Sequence, residues 1–182
     1  MKELTLPSGP RRGVPHVLAV GTVLVAVVGA LSSLSACDKQ RIEKLEEGVA
    51  TEADVRQQFG NPHAVSVEPD GSKVFEYPRQ PEGWTNYLIT IGADGKMSSL
   101  RQLLTPANFA KVTPGIDKLQ VMKLLGKTAK TQFYALKGEE VWDWRFKDGT
   151  IGKLFSVTFD GQGKVLATGT RDDPRETDAG SR

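Results

Sequence analysis

The sequence predicts an α+β fold of two tandem ααβββ modules, each a short helix pair packed on an antiparallel sheet. Three observations predict it. The chain repeats itself at an offset of about 66 to 68 residues. Each copy opens with short apolar stripes at helical spacing, bounded by capping residues and glycines. Each copy then changes to strict alternation of apolar and polar residues, the period of a half-buried strand.

The repeat is carried by matches in one order. Ile42, Leu45 and Gly48 correspond to Phe109, Val112 and Gly115, and Val55, Phe59 and Gly60 to Val121, Leu125 and Gly126. Val74-Phe75-Glu76-Tyr77 corresponds to Val141-Trp142-Asp143-Trp144, and Asp94-Gly95-Lys96-Met97 to Gln162-Gly163-Lys164-Val165. In the first copy Ile42 and Leu45 start the helical part. Thr51 is the N-cap of the next helix, with Asp54 three residues on, and Gly60 ends it ahead of Asn61-Pro62. In the second copy Thr105 caps and Pro106 fills the first helical position. Asp117 caps a helix whose stripe is read as Leu119, Met122 and Leu125, and Gly126 ends it.

In the second copy Trp142, Trp144 and Phe146 alternate with Val141, Asp143 and Arg145, and Phe155, Val157 and Phe159 with Leu154, Ser156, Thr158 and Asp160. The aromatic set is expected under the helices and the polar set on the outer sheet face. A third strand starts at Val165. Lys147-Asp148-Gly149 and Asp160-Gly161-Gln162-Gly163 are hairpin turns. The first copy repeats the plan through Phe75, Tyr77, Tyr87, Ile89 and Ile91, with a longer loop from Pro78 to Gly83. Extra strands are placed near Val65–Val67 and Thr131–Tyr134.

Ahead of the repeats, Arg11-Arg12 precedes a run without charge from Val17 to Leu31, and then comes Leu34-Ser35-Ala36-Cys37. Cys37 is the only cysteine. The four residues resemble a bacterial lipobox, in which the chain is cut before a cysteine carrying diacylglycerol, and small side chains let the backbone lie extended in the peptidase. Val14 to Ala36 is also long enough for a retained transmembrane helix. On the lipobox reading the domains are a signal peptide over 1–36, copies over 37–104 and 105–172, and a disordered tail over 173–182. Cleavage removes Lys2, Arg11, Arg12 and Glu3. Lys plus Arg falls from 24 to 21 and Asp plus Glu from 22 to 21, so the remaining 146 residues are formally neutral. No basic field for nucleic acid remains. With one cysteine, an apolar core rather than an internal disulfide must hold the domain.

Two short helices, the run Gly48, Val55, Phe59, Gly60 and Pro62, and a strand meander behind a lipobox resemble the BamE (SmpA/OmlA) lipoproteins. The second copy departs from the pattern with Lys127 where the proline stands, and its first glycine lies one residue closer. The tandem arrangement also resembles the two-copy fold of β-lactamase inhibitor proteins. The BamE resemblance implies an acylated, palmitate-bearing outer-membrane lipoprotein facing the periplasm. Its partners would be envelope proteins, the β-barrel assembly machinery among them. Asp38, directly after Cys37, leaves the inner membrane open. The inhibitor resemblance implies instead a tethered inhibitor or sensor of a periplasmic enzyme.

Nothing in the chain has the pattern of a catalytic or metal site. His63 is the one histidine after Cys37, and no phosphate loop or zinc-ligand spacing occurs. The expectation is therefore a binding module without catalytic residues, cofactor or metal. Its candidate site residues are Cys37 for lipid attachment and, for a partner, Trp84 in the loop between two strands, where the ring either meets a partner or lipid headgroups or caps the core edge. Asp143, Arg145, Ser156, Thr158 and Thr168 join Trp84, expected side by side on the exposed outer face of the second sheet. On such a face Arg145 should tolerate substitution.

Overall fold

The computed structural model describes residues 34–179. The signal segment expected over 1–36 lies outside it up to residue 33, as do residues 180–182. The fold is α+β, with two four-stranded antiparallel sheets. The first copy contains α1 (Leu34–Ile42), α2 (Glu52–Phe59), β1 (Ala64–Val67), β2 (Lys73–Pro78), β3 (Asn86–Ile91) and β4 (Met97–Gln102). The second contains α3 (Pro106–Phe109), α4 (Lys118–Leu125), β5 (Lys130–Tyr134), β6 (Glu139–Asp148), β7 (Ile151–Phe159) and β8 (Val165–Asp172). The extra strands at Val65–Val67 and Thr131–Tyr134 are β1 and β5, so each meander has four strands in sequence order.

The same local chemistry builds both copies. Thr51 and Asp117 each close a capping box, with Asp54 and Gln120 returning the bond to the cap backbone. Gly60 and Gly126 end these helices at positive φ, which a side chain resists. The Tyr77 hydroxyl donates to the Gly60 carbonyl at 3.0 Å, and the Trp144 indole N–H donates to the Gly126 carbonyl at 3.0 Å. A strand aromatic thus ties down the helix end in each copy, satisfying a carbonyl that the helix leaves open.

Each core lies between its helices and the inner sheet face. Val55, Phe59, Phe75, Tyr77, Tyr87, Ile89, Ile91 and Met97 fill the first. Val121, Leu125, Trp144, Phe146, Phe155, Val157, Phe159 and Val165 fill the second, with Trp142 partly buried against it. The buried stripe of α4 is therefore Val121 and Leu125. Leu119 and Met122, read as part of that stripe, are exposed, at 64% and 40%. Four residues separate Val121 and Leu125, a little over one turn, so both face the sheet while Leu119 rides on the far side.

The tail departs from expectation. Asp173 is 2% exposed, and its carboxylate and carbonyl accept from the backbone N–H groups of Arg175 and Glu176. A short helix, α5 (Pro174–Ala179), follows. Asp173 and Pro174 play the parts that Thr105 and Pro106 play before α3. Disorder expected from composition yields here to an N-cap buried by tertiary contacts.

Candidate functional site

The outer face of the second sheet, where a partner surface was expected, is occupied from within the chain. Asp143 stands opposite Ser156 across β6 and β7. The Ser156 hydroxyl donates to Asp143 Oδ1 at 2.6 Å, and Arg171 donates to Asp143 Oδ2 at 3.1 Å and to Ser156 Oγ at 2.7 Å. Arg145, two residues along, is 6% exposed. Its Nε pairs with Asp173, and its Nη1 donates to the carbonyls of Pro81 and Glu82, both at 3.2 Å. Asp143 and Arg145 are on the predicted face, but they are buried. The loop after β2 and the segment entering α5 close over Arg145, and Arg171 covers Asp143.

The sheet itself explains why the loop docks there. Ala129 N–H donates to the Asp143 carbonyl, so the backbone groups of odd-numbered β6 residues point toward β5. β5 begins only at Lys130, opposite Asp143, which leaves the Arg145 N–H and carbonyl without a strand partner. The Gln80 side chain supplies both bonds, accepting from Arg145 N at 3.1 Å and donating to Arg145 O at 2.9 Å. A first-copy side chain thereby extends the ladder of the second sheet, as buried backbone groups require.

Trp84 belongs to the same contact. The Arg145 guanidinium carbon lies 3.8 Å from its ring centroid and Lys147 Nζ 4.2 Å. Gly152 faces Lys147 across the ladder. A Cβ there would stand 2.6 Å from the Trp84 ring and 2.7 Å from Glu176, so only glycine lets both side chains lie on the strand. Trp84, read as either a partner contact or a cap on the core edge, is half-buried as part of the junction between copies.

Thr158 lies on the outer face opposite Val141 and Ala167, and is half-buried. Thr168 does not join it. It pairs with Val157 and so lies on the inner face, at an edge the helices leave exposed. The register shifts between Thr158 and Phe159, which face Ala167 and Val165. The bulge adds Leu166 to β8 and reverses the faces of every residue after it. β4 has the same shift, at Thr90/Ile91. The outer-face residue missed by sequence reasoning is Arg171, which the bulge brings beside Ser156 and Asp143.

A cleft of about 380 Å³ opens at this junction, with Pro81, Glu82, Lys130, Arg145, Arg171 and Arg175 in its wall. Three of its cations are ion-paired within the chain: Arg145 to Asp173, Arg171 to Asp143, and Arg175 to Glu82. A second tie lies close by. Asn86, at the start of β3, is 2% exposed and donates to the carbonyls of Leu125 and Lys127 at the end of α4, at 2.7 and 2.8 Å. Among the described residues no group of three His, Cys, Asp or Glu side chains stands together to hold a metal ion. None of their helices is long and apolar enough to cross a membrane.

Cys37 falls within α1, and its neighbour Asp38 is buried. Asp38 accepts from Arg79 at 3.3 and 3.4 Å and pairs with Arg41 at 3.5 Å. The residue after Cys37 is therefore already part of the folded first copy.

No protein-family profile matches the chain, and no curated protein does. Among solved structures, a protein described as the osmotically inducible lipoprotein OsmE aligns at 25% identity over 44% of this chain and 92% of its own, with a TM-score of 0.34. A protein described as a β-lactamase inhibitor protein, from Streptococcus mutans, aligns at 10% identity over 76% of this chain and 98% of its own, with a TM-score of 0.33. A DUF4309-family protein from Bacillus subtilis aligns at 16% identity over 76% of this chain and 92% of its own, with a TM-score of 0.31. These scores are low, and the functional reading rests on the residues of the chain itself.

Proposed function

We propose that the chain is a lipid-anchored cell-envelope module that binds other envelope proteins, accessory to the assembly of β-barrel proteins in the outer membrane. The observation that carries the anchor is Cys37: a lone cysteine after two small residues, between a long uncharged run and the first charged stretch. The docking of Asp38 on Arg79 adds to it, because a lipid on Cys37 would hold the first copy directly against the bilayer, with no linker between them. The role beside the β-barrel machinery rests on the resemblance of Gly48, Val55, Phe59, Gly60 and Pro62 to the BamE pattern. The partner surface lies away from Arg145 and Trp84, which the junction between copies uses, and from Asp143, which Arg171 covers.

Labelling with a radioactive fatty acid in a Gram-negative host tests the anchor. The wild-type chain should take up label and appear in the outer-membrane fraction, and Cys37→Ser should lose label and remain at precursor length. Label retained by Cys37→Ser sinks the anchor reading. Crosslinking in intact cells followed by purification tests the role. Recovery with subunits of the barrel-assembly machinery supports it, and recovery with a single soluble periplasmic hydrolase would replace it with an inhibitor.

A further inference from the structure

The two copies share one fold but present opposite edges. β1 and β5 are equivalent edge strands, each paired on one side only, and every residue of both is exposed. From residue 123 to 138 the second copy carries Lys123, Lys127, Lys130 and Lys137 and no acidic residue. The equivalent stretch of the first copy, 57 to 72, carries no lysine or arginine, and has Glu68 and Asp70. Each copy is an internal control for the other. The fold builds this hairpin in either composition, so neither the lysines nor the exposed Phe133 are needed for folding. Among the described residues Lys127, Lys130 and Lys137 have no ion-pair partner.

We propose that these edges are complementary, and that β1 of one molecule pairs antiparallel with β5 of a second copy of this chain. Face parity selects the register. Val65 and Val67 pair with Phe75 and Lys73, on the inner face of the first sheet, while Thr131 and Phe133 pair with Trp142 and Glu140, on the inner face of the second. Directly opposed residues in an antiparallel pair share a face. Setting Val65 against Phe133 therefore sets Val67 against Thr131 on the inner side. The same register sets Ala64 against Tyr134, Ser66 against Gln132 and Glu68 against Lys130 on the outer side. All five residues of β5 find a partner, the exposed apolar side chains meet, and the one ionic pair has opposite signs. An unblocked strand edge is a template for such pairing. The contact is heterologous, so two copies joined through both edges close a ring, and otherwise a chain grows. The association does not depend on an anchor at Cys37.

The test uses the full chain in two single-cysteine additions, Val65→Cys and Phe133→Cys, mixed under mild oxidation. A disulfide-linked pair should form in the mixture. Wild type, with Cys37 alone, and either variant by itself set the background. The second measurement is the mass of the wild-type chain in solution, which should rise with concentration. Lys130→Glu, at an exposed position, should weaken association about fivefold, with a small fall in melting temperature because Lys130 also stands opposite Asp143. Glu68→Lys added to Lys130→Glu should restore it. A wild-type chain that stays monomeric across the concentration range, with no disulfide above background, overturns the proposal. So does Lys130→Glu associating as wild type, which would place the contact elsewhere. Shielding of Phe133 that appears only with another protein would assign the edge to a different partner.

Discussion

Replacing Arg145 by methionine should destabilise the protein by about 4 kcal/mol. The side chain is 6% exposed and its ion-pair partner Asp173 is 2% exposed. Methionine keeps most of the apolar stem but removes the bond to Asp173, the bonds to the Pro81 and Glu82 carbonyls, and the stacking on Trp84. Removing one partner of a buried pair costs about 3–5 kcal/mol, because the other charge is left without compensation. A desolvated cation–π contact adds about 1–2 kcal/mol. Asp173 keeps its bond from the Arg175 backbone, which moderates the loss. Urea denaturation followed by tryptophan fluorescence measures the effect. With a slope of about 2 kcal/mol per molar, the midpoint should fall by about 2 M. Asp173→Asn in the same background removes the stranded charge and should recover at least about 1.5 kcal/mol, a coupling that distant sites do not show. A loss for Arg145→Met within about 0.5 kcal/mol, as for an exposed side chain, would refute the junction. Additive single and double variants would refute the ion pair.

Three further outcomes are expected. Gly152→Ala places a methyl group 2.6 Å from Trp84 and 2.7 Å from Glu176, and should cost about 1–3 kcal/mol in the same assay, with Trp84→Ala in the background relieving part of it. Trp144→Phe deletes the donor to the Gly126 carbonyl and leaves space in a fully buried site, so a loss of about 2–3 kcal/mol in chemical denaturation is expected; Tyr77→Phe, the equivalent change in the first copy, should cost about 1 kcal/mol. Acid should weaken the fold through Glu140 and Glu52. The bonds from Lys118 and then Trp142 hold the Glu140 carboxyl below the ordinary glutamate value, and those from Lys73 and Arg56 do so for Glu52. A depressed folded-state value means the stabilisation is complete above the unfolded value and is lost as pH falls through the folded one. Urea midpoints should therefore decline on acidification below about pH 4.5, less steeply in Glu140→Gln; an unchanged slope in that variant would remove Glu140 from the account.

What the sequence determined by itself is local. Helix ends follow from Thr51, Asp117, Gly60 and Gly126, because a cap satisfies backbone groups within a few residues of itself. The sheet core follows from alternation, because period two is a property of the strand alone. The repeat made each copy a check on the other. What only the tertiary structure decided is what covers each face. Alternation placed Asp143 and Arg145 opposite the aromatics, and that parity holds. Arg145 is buried by Gln80, the Pro81 and Glu82 carbonyls, Trp84 and Asp173, which come from 61 to 65 residues before it and 28 after it, and Asp143 is covered by Arg171, 28 residues after it. No periodic signal announces a glutamine that completes a ladder. Gly152, a glycine inside a strand pattern, was the one legible hint that another group approaches the sheet there. Thr168 failed for a related reason. One residue added at a bulge turns every later side chain over, and the bulge forms because β7 and β8 meet in space, which alternation along one strand does not record.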